Sequence, residues 1–239
     1  MPPRALKPVG IVLADKPAGP SSFRLVAQLR SRTRARTGHA GTLDPFATGL
    51  LVLLSGAATR LAPCFVGLDK RYVTDVDLTA TTSTGDPEGE FVETHSAPSL
   101  PELEASLAVL RGEVELPIPA ASAVKIGGER AYTLARRGVA VEMPRRRSQV
   151  YTLDVIAYTG SAVTLELHVS SGTYVRSIAE ALGGHCTALR RTAVGPFRVE
   201  EAGERLLPPS EALARLSADA LARVEPALLD SVVALEASA

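Results

Sequence analysis

Apolar and polar positions switch between two periods along this chain, and the switches mark its elements. Val9 to Leu13 is an apolar run of strand length that stops at Asp15-Lys16-Pro17. Phe23, Val26, Ala27 and Leu29 share one helical face, and Pro20-Ser21-Ser22 offers a start, so a helix is predicted to about Arg30. Thr37 to Gly49 holds three glycines and one proline in thirteen residues and reads as a loop. Leu50 to Leu54 is a second buried strand, with a short helix from Ala57 to about Leu61. Arg71 to Leu78 alternates as a strand, and Thr79 to Glu90 is polar turn chemistry.

Leu103, Leu107 and Leu110 keep helical spacing between Pro101 and Gly112, which predicts a helix over Leu100 to Leu110. Pro117, Pro119 and Gly127-Gly128 mark an irregular connection. A short helix from Glu129 to Arg137 and a strand from Val139 to Met143 are expected next. Gln149 to Tyr158 and Ala162 to Ser170 flank Thr159-Gly160-Ser161 as a hairpin. Tyr174 to Leu182 has a helical apolar face, Ala188 to Val194 reads as a strand, and short alanine- and leucine-rich helices fill the tail from Pro208. Hairpins with interspersed helices predict an α+β fold with a mixed, mainly antiparallel sheet flanked by helices and loops.

Length and charge sharpen this picture. At 239 residues and 46% hydrophobic, the chain can bury one large core, and no apolar run reaches membrane-span length. Met1-Pro2-Pro3-Arg4 lacks the apolar core of a secretory signal. Cys64 and Cys186 have neither a disulfide framework nor zinc spacing, and a reduced, cytoplasmic location follows as the expectation. Formal net charge is zero, yet residues 200–239 carry eight acids and three arginines. The acidic tail therefore hides a basic body, and 22 of the 26 basic residues are arginine. Arginine forks pair with phosphates and stack on bases, so the body permits RNA binding, although arginine-rich faces also occur simply solvated.

Asp44 is the candidate for chemistry. It lies in Gly38-His39-Ala40-Gly41-Thr42-Leu43-Asp44-Pro45, where Pro45 disfavours helical dihedrals at Asp44. A carboxylate on such a loop, just ahead of a buried strand, is placed for catalysis. It is equally placed to cap a helix starting at Pro45.

The same segment resembles the signature of the TruB-type pseudouridine synthase family, which acts on the T-loop uridine of tRNA. Leu13-Ala14-Asp15-Lys16-Pro17 with Ser21-Ser22 resembles the family's opening motif, and Lys70-Arg71-Tyr72 and Thr84-Gly85-Asp86 resemble the next two. Ser171-Gly172-Thr173-Tyr174-Val175-Arg176 and Leu189-Arg190-Arg191-Thr192-Ala193-Val194-Gly195 resemble later ones, in the same order. The resemblance implies isomerisation of uridine at position 55, with no cofactor and no metal. It implies Asp44 as nucleophile or base, Arg176 as the arginine that pairs with it, and Tyr72 as the residue stacked on the flipped base. Tyr174 and Leu189 would line the pocket, His39 would help fill or disrupt the T-loop stack, and Lys16 would support the site.

Residues 1–199 would form the catalytic domain. Residues 122–150 would be an RNA-gripping insertion whose Arg136, Arg137, Arg145, Arg146 and Arg147 contact the RNA backbone. Residues 200–239 read as a short acidic helical extension without the full C-terminal PUA-type domain usual in the family. Ala121 and Ser83 stand where a tyrosine and an aspartate are usual, which puts specificity in doubt more than activity. The expected partner is the T-arm of tRNA, bound by a monomer with no guide RNA and no membrane. Two alternatives are a guide-RNA-dependent synthase and a tRNA-binding folding helper with little catalysis.

Overall fold

The computed structural model describes residues 8–122, 124–131 and 143–236. Contacts divide the chain into two compact units, residues 1–71 with 190–239, and residues 72–189.

The first unit opens with β1 (Gly10–Lys16), α1 (Ser22–Thr33), β2 (Thr37–His39) and β3 (Thr48–Ser55). β1 and β3 pair antiparallel along their whole length, from Gly10↔Ser55 to Lys16↔Gly49. The expected loop from Thr37 to Gly49 is shorter than the glycine count indicates. Its first three residues pair with β3 as β2, and its last two already belong to β3. Glycine raises the cost of ordering a strand, but a buried partner offsets it once the tertiary structure is in place. A 3₁₀ turn, Gly56–Leu61, and α2 (Ala62–Val66) follow.

The second unit begins inside β4 (Lys70–Asp77). Next come β5 (Ala80–Thr82), β6 (Phe91–Thr94), α3 (Leu100–Val109) and β7 (Gly112–Pro117). A small hairpin, β8 (Lys125–Ile126) and β9 (Glu129–Arg130), turns at Gly127-Gly128. Both glycines have positive φ, 58° and 93°. That is the geometry of a tight hairpin turn, so Glu129-Arg130 is strand and not the expected helix start. Ala131, the next residue, is helical, and the remainder of that helix and most of the expected strand Val139 to Met143 lie outside the described residues, as do Arg136 and Arg137.

β10 (Arg145–Tyr158) and β11 (Ala162–Val169) form the predicted hairpin. β10 starts earlier than expected because Arg145 to Val150 pair with β7. Val163, Leu165, Leu167 and Val169 are buried on alternate positions of β11, which is the period-two pattern of one inward face. α4 (Val175–Ala181) buries Val175, Ile178 and Ala179. β12 (His185–Val194) then runs on into the first unit.

There the chain closes with β13 (Phe197–Arg198), β14 (Leu206–Leu207), α5 (Pro209–Leu213), α6 (Ala218–Leu221) and α7 (Pro226–Glu236). The core of this unit gathers Ile11, Leu13, Leu50, Val52, Leu54, Phe65 and Phe197, with Ala212, Leu213 and Val232 from the tail helices. Each such side chain removed from water contributes about 1.5–3 kcal/mol, which fixes the tail helices on this sheet. β12 lies parallel to β3 at Arg190↔Thr48 and Arg191↔Gly49, whereas β1 pairs antiparallel with β3 and β14, β2 with β3, β5 with β6, β7 with β10, β8 with β9, β10 with β11 and β12 with β13. Gly49 allows that contact. Its φ is 102°, and a Cβ there would collide with the Arg191 backbone. The fold is α+β with a mainly antiparallel sheet, as expected.

Candidate active site

Asp44 lies half-buried in the loop between β2 and β3. The backbone decides between its two readings. No helix starts at Pro45: the Ala47 N–H donates to the Asp44 carbonyl at 3.2 Å, and β3 begins at the next residue. Asp44 is therefore a carboxylate on a turn and not a helix cap.

Three buried side chains hold this turn. Arg191 of β12 donates from Nε to the Leu50 carbonyl at 2.7 Å, from Nη2 to Gly41 at 3.1 Å and from Nη1 to Thr42 at 3.4 Å. Ser22, the first residue of α1, donates its hydroxyl to the Leu43 carbonyl at 2.9 Å and accepts the Leu43 N–H at 2.8 Å. Lys16, at the end of β1, donates to the carbonyls of Pro17, Pro45 and Ala47 at 2.9, 3.0 and 2.6 Å. Lys16 and Arg191 are both fully buried. A buried cation is costly unless its donors are matched, and carbonyl dipoles supply the match here. Hydrogen bonds from charged donors stabilise by about 1.5–3 kcal/mol each, so the backbone on both sides of Asp44 is firmly fixed.

His39 sits at the end of β2. Its Nδ1 is buried without a hydrogen-bond partner among the described residues. Burial, then the Arg191 charge, holds its pKa below the ordinary imidazole value, so the ring is neutral at pH 7. Asp15 forms an exposed ion pair with Arg190 at 2.7 Å.

The other candidates belong to the second unit. Arg176, on the first turn of α4, is buried and donates to the Asp86 carboxylate at 3.1 Å. It also donates to the carbonyls of Thr84 at 2.8 Å and Ala121 at 3.0 Å. Asp86 further accepts from the Thr84 hydroxyl at 2.6 Å and the Glu88 N–H at 3.0 Å. Nearby Glu180 is pushed up by burial and by Asp86, against the Arg176 charge that lowers it. Tyr72 is buried on the inward face of β4, and Leu189 is buried in β12. Tyr174 is half-buried at the start of α4, where its carbonyl accepts the Ser177 N–H at 3.1 Å. Arg145, Arg146 and Arg147 are exposed on the first residues of β10, and Arg145 donates to the Glu115 carbonyl.

Lys16, His39 and Asp44 thus share one unit, and Tyr72, Tyr174, Arg176 and Leu189 share the other. Sequence reading missed three side chains that set this geometry: Ser22, Arg191 and Asp86. Each stood inside a quoted motif, but its role depends on a contact at least 21 positions away in sequence.

The family model described as TruB family pseudouridylate synthase (N terminal domain) matches residues 29–175. The chain is 42% identical over 211 residues to a tRNA pseudouridine synthase B of Mycobacteroides abscessus, covering 82% of this chain and 71% of the relative. It is 43% identical over 208 residues to a tRNA pseudouridine synthase B of an Arthrobacter species, covering 81% and 68%. Among solved structures it resembles a chain of a Cbf5-Nop10-Gar1 complex at TM-score 0.61 and 28% identity, covering 79% of this chain and half of that one. The family match spans most of the chain, including the loop that carries Asp44, and the chain belongs to the TruB family of pseudouridylate synthases, which are isomerases.

Proposed function

We propose that the chain isomerises the T-loop uridine of tRNA, position 55, to pseudouridine, with Asp44 as the group that acts on the flipped-out nucleotide. The observation that carries this is the turn holding Asp44, anchored on both sides by Arg191, Ser22 and Lys16. A reacting carboxylate must stay within a fraction of an ångström of its target, and such anchoring serves that need.

The reaction breaks the N1–C1′ bond, turns the base, joins C5 to C1′, moves a proton onto N1 and releases the C5 proton. Nothing is oxidised or reduced, and no group leaves, so one ionised carboxylate suffices as nucleophile at C1′ or as base at C2′. Tyr72, Tyr174, Leu189 and Arg176 serve as the base-stacking, pocket-lining and arginine partners that the family resemblance assigns. His39 packs against the T-loop, and a neutral ring suits stacking on bases. Residues 122–150 grip the RNA through Arg145, Arg146 and Arg147 together with Arg136 and Arg137.

The enzyme works without guide RNA, as a monomer, in the cytoplasm. The 42–43% identity to tRNA pseudouridine synthase B proteins, against 28% to Cbf5, favours tRNA and independence of a guide. Tritium release from tRNA transcript labelled at uridine C5, with no other macromolecule added, tests this reading. Release by the wild type and none by Asp44→Asn is the expected result. Unimpaired release by that variant, or none by the wild type, overturns it.

A further inference from the structure

We propose that the outer side of α1 and the segment just after it form a docking surface for the phosphodiester backbone of the RNA substrate, through Arg24, Arg30, Arg34 and Arg36. This rests on the reading that the substrate is RNA, and it adds a contact surface outside residues 122–150.

From Ser22 to Arg36 the chain carries five arginines and no acidic residue. All five are exposed. Their surroundings separate them. Elsewhere in the first unit Arg190 is matched by Asp15, Arg205 by Glu211 and Arg215 by Glu201, while the exposed Arg60, Arg198 and Arg223 are scattered singly and have no carboxylate paired with them among the described residues. Within α1, Arg32 is matched by Glu204 at 3.0 Å. Among the described residues no carboxylate is paired with Arg24, Arg30, Arg34 or Arg36. Glu204, Glu211 and Glu201 of the acidic tail are engaged by Arg32, Arg205 and Arg215, and the short segment from Arg24 to Arg36 keeps four arginines with no paired carboxylate.

Helix electrostatics accounts for only part of the set. Arg30 and Arg32 occupy the last turn of α1, where a cation favours the helix dipole. Arg24 occupies the first turn, where a cation is unfavourable. It borders a hollow of about 510 Å³ shared with Gly19 and Gln28. Asp15, the carboxylate lining that hollow, is already engaged by Arg190. Arg36 and Arg60 border another hollow of about 370 Å³. Phe23, next to Arg24 in sequence, is 63% exposed, with the Arg30 guanidinium 5.9 Å from its ring centroid. An exposed ring beside a guanidinium offers a stacking face to an unpaired base.

Geometry selects the class of partner. Ten helical residues separate Arg24 from Arg34, a distance of about 15 Å. A single small anion cannot span from Arg24 to Arg34. A linear polyanion reaches all of them, and an RNA strand is such a polyanion.

The experiment measures Kd of the full chain for unmodified tRNA transcript by fluorescence anisotropy between 50 and 200 mM salt. Arg24→Gln/Arg34→Asn removes two uncompensated charges; Asn suits the left-handed backbone at position 34, where φ is 50°. Arg32→Gln/Arg205→Gln removes two compensated charges and has the same net charge. The first double variant is expected to bind roughly tenfold more weakly, and its log Kd–log salt slope to fall by about 1.4–1.8. The second is expected to stay near wild type. Equal Kd and slope for the two variants overturn the inference, as does absence of tRNA binding by the wild type. If the first variant melts early, Arg24→Gln alone carries the comparison, with half the change in slope. A wild type that binds tRNA with this pattern but makes no pseudouridine refutes the proposed function while leaving the docking surface standing.

Discussion

Ser22 and Leu43 hold each other in both directions: the serine hydroxyl donates to the Leu43 carbonyl at 2.9 Å and accepts the Leu43 N–H at 2.8 Å. One side chain thereby satisfies both backbone groups of the residue immediately before Asp44. Ser22→Ala leaves both groups buried without that partner, which costs about 1–3 kcal/mol. The variant should fold with a lowered Tm and lose on the order of tenfold to a hundredfold in kcat, because a displaced reacting group is penalised steeply. KM for tRNA should change little. Steady-state pseudouridine formation checks this, and a wild-type kcat would show that the contact does not position Asp44.

Arg191 has two separable effects. Its guanidinium fixes the Gly41 and Thr42 carbonyls, and its charge helps hold His39 neutral. Arg191→Gln removes the charge, so the His39 pKa should move upward toward the ordinary imidazole value. Histidine proton shifts followed by NMR across pH 4 to 8 report it. An unchanged His39 titration would mean that burial alone sets its pKa.

Asp86 compensates the buried Arg176 charge. Asp86→Asn leaves that cation buried with a weaker partner, and about 3–5 kcal/mol of stability should be lost. Replacing both residues, as Asp86→Leu with Arg176→Met, should recover part of the loss even though activity is not expected to return. Denaturant unfolding of the two variants settles it: a double variant less stable than Asp86→Asn contradicts the pairing.

Lys70 is buried and donates to the Val66 carbonyl at 2.6 Å and to the Leu68 carbonyl. Burial, then the Arg191 charge, lowers its pKa to about 7, with Asp69 opposing and Arg223 assisting. Unfolded, the same amine titrates near 10.4. Between these values the unfolded chain holds more protons, so the contribution of Lys70 to stability rises as pH climbs from about 7 to about 10. Below pH 7 both states are protonated, and the native state bears a buried charge. The Tm of wild type minus that of Lys70→Met should therefore grow across that window. A constant difference would exclude the lowered pKa.

Legibility from sequence followed the range of the forces involved. The hairpin of Gln149 to Ser170, the helix opened at Ser22 and the buried strand at Leu50 were readable, because apolar periodicity is local. β2 and the early start of β10 were not readable, since each exists through pairing with a distant strand. The Glu129 helix start was misread because its alternation is too short to outweigh the glycine pair before it.

Sequence by itself determined the α+β class, the ordered motifs and the position of Asp44 in a glycine-rich segment. It could not separate a helix cap from a loop carboxylate, since Asp-Pro serves both. The tertiary structure decided that point, because Arg191, Ser22 and Lys16 reach the turn from three separate elements. It likewise decided which arginines stand uncompensated, because charge matching depends on which carboxylates fold back within a few ångströms.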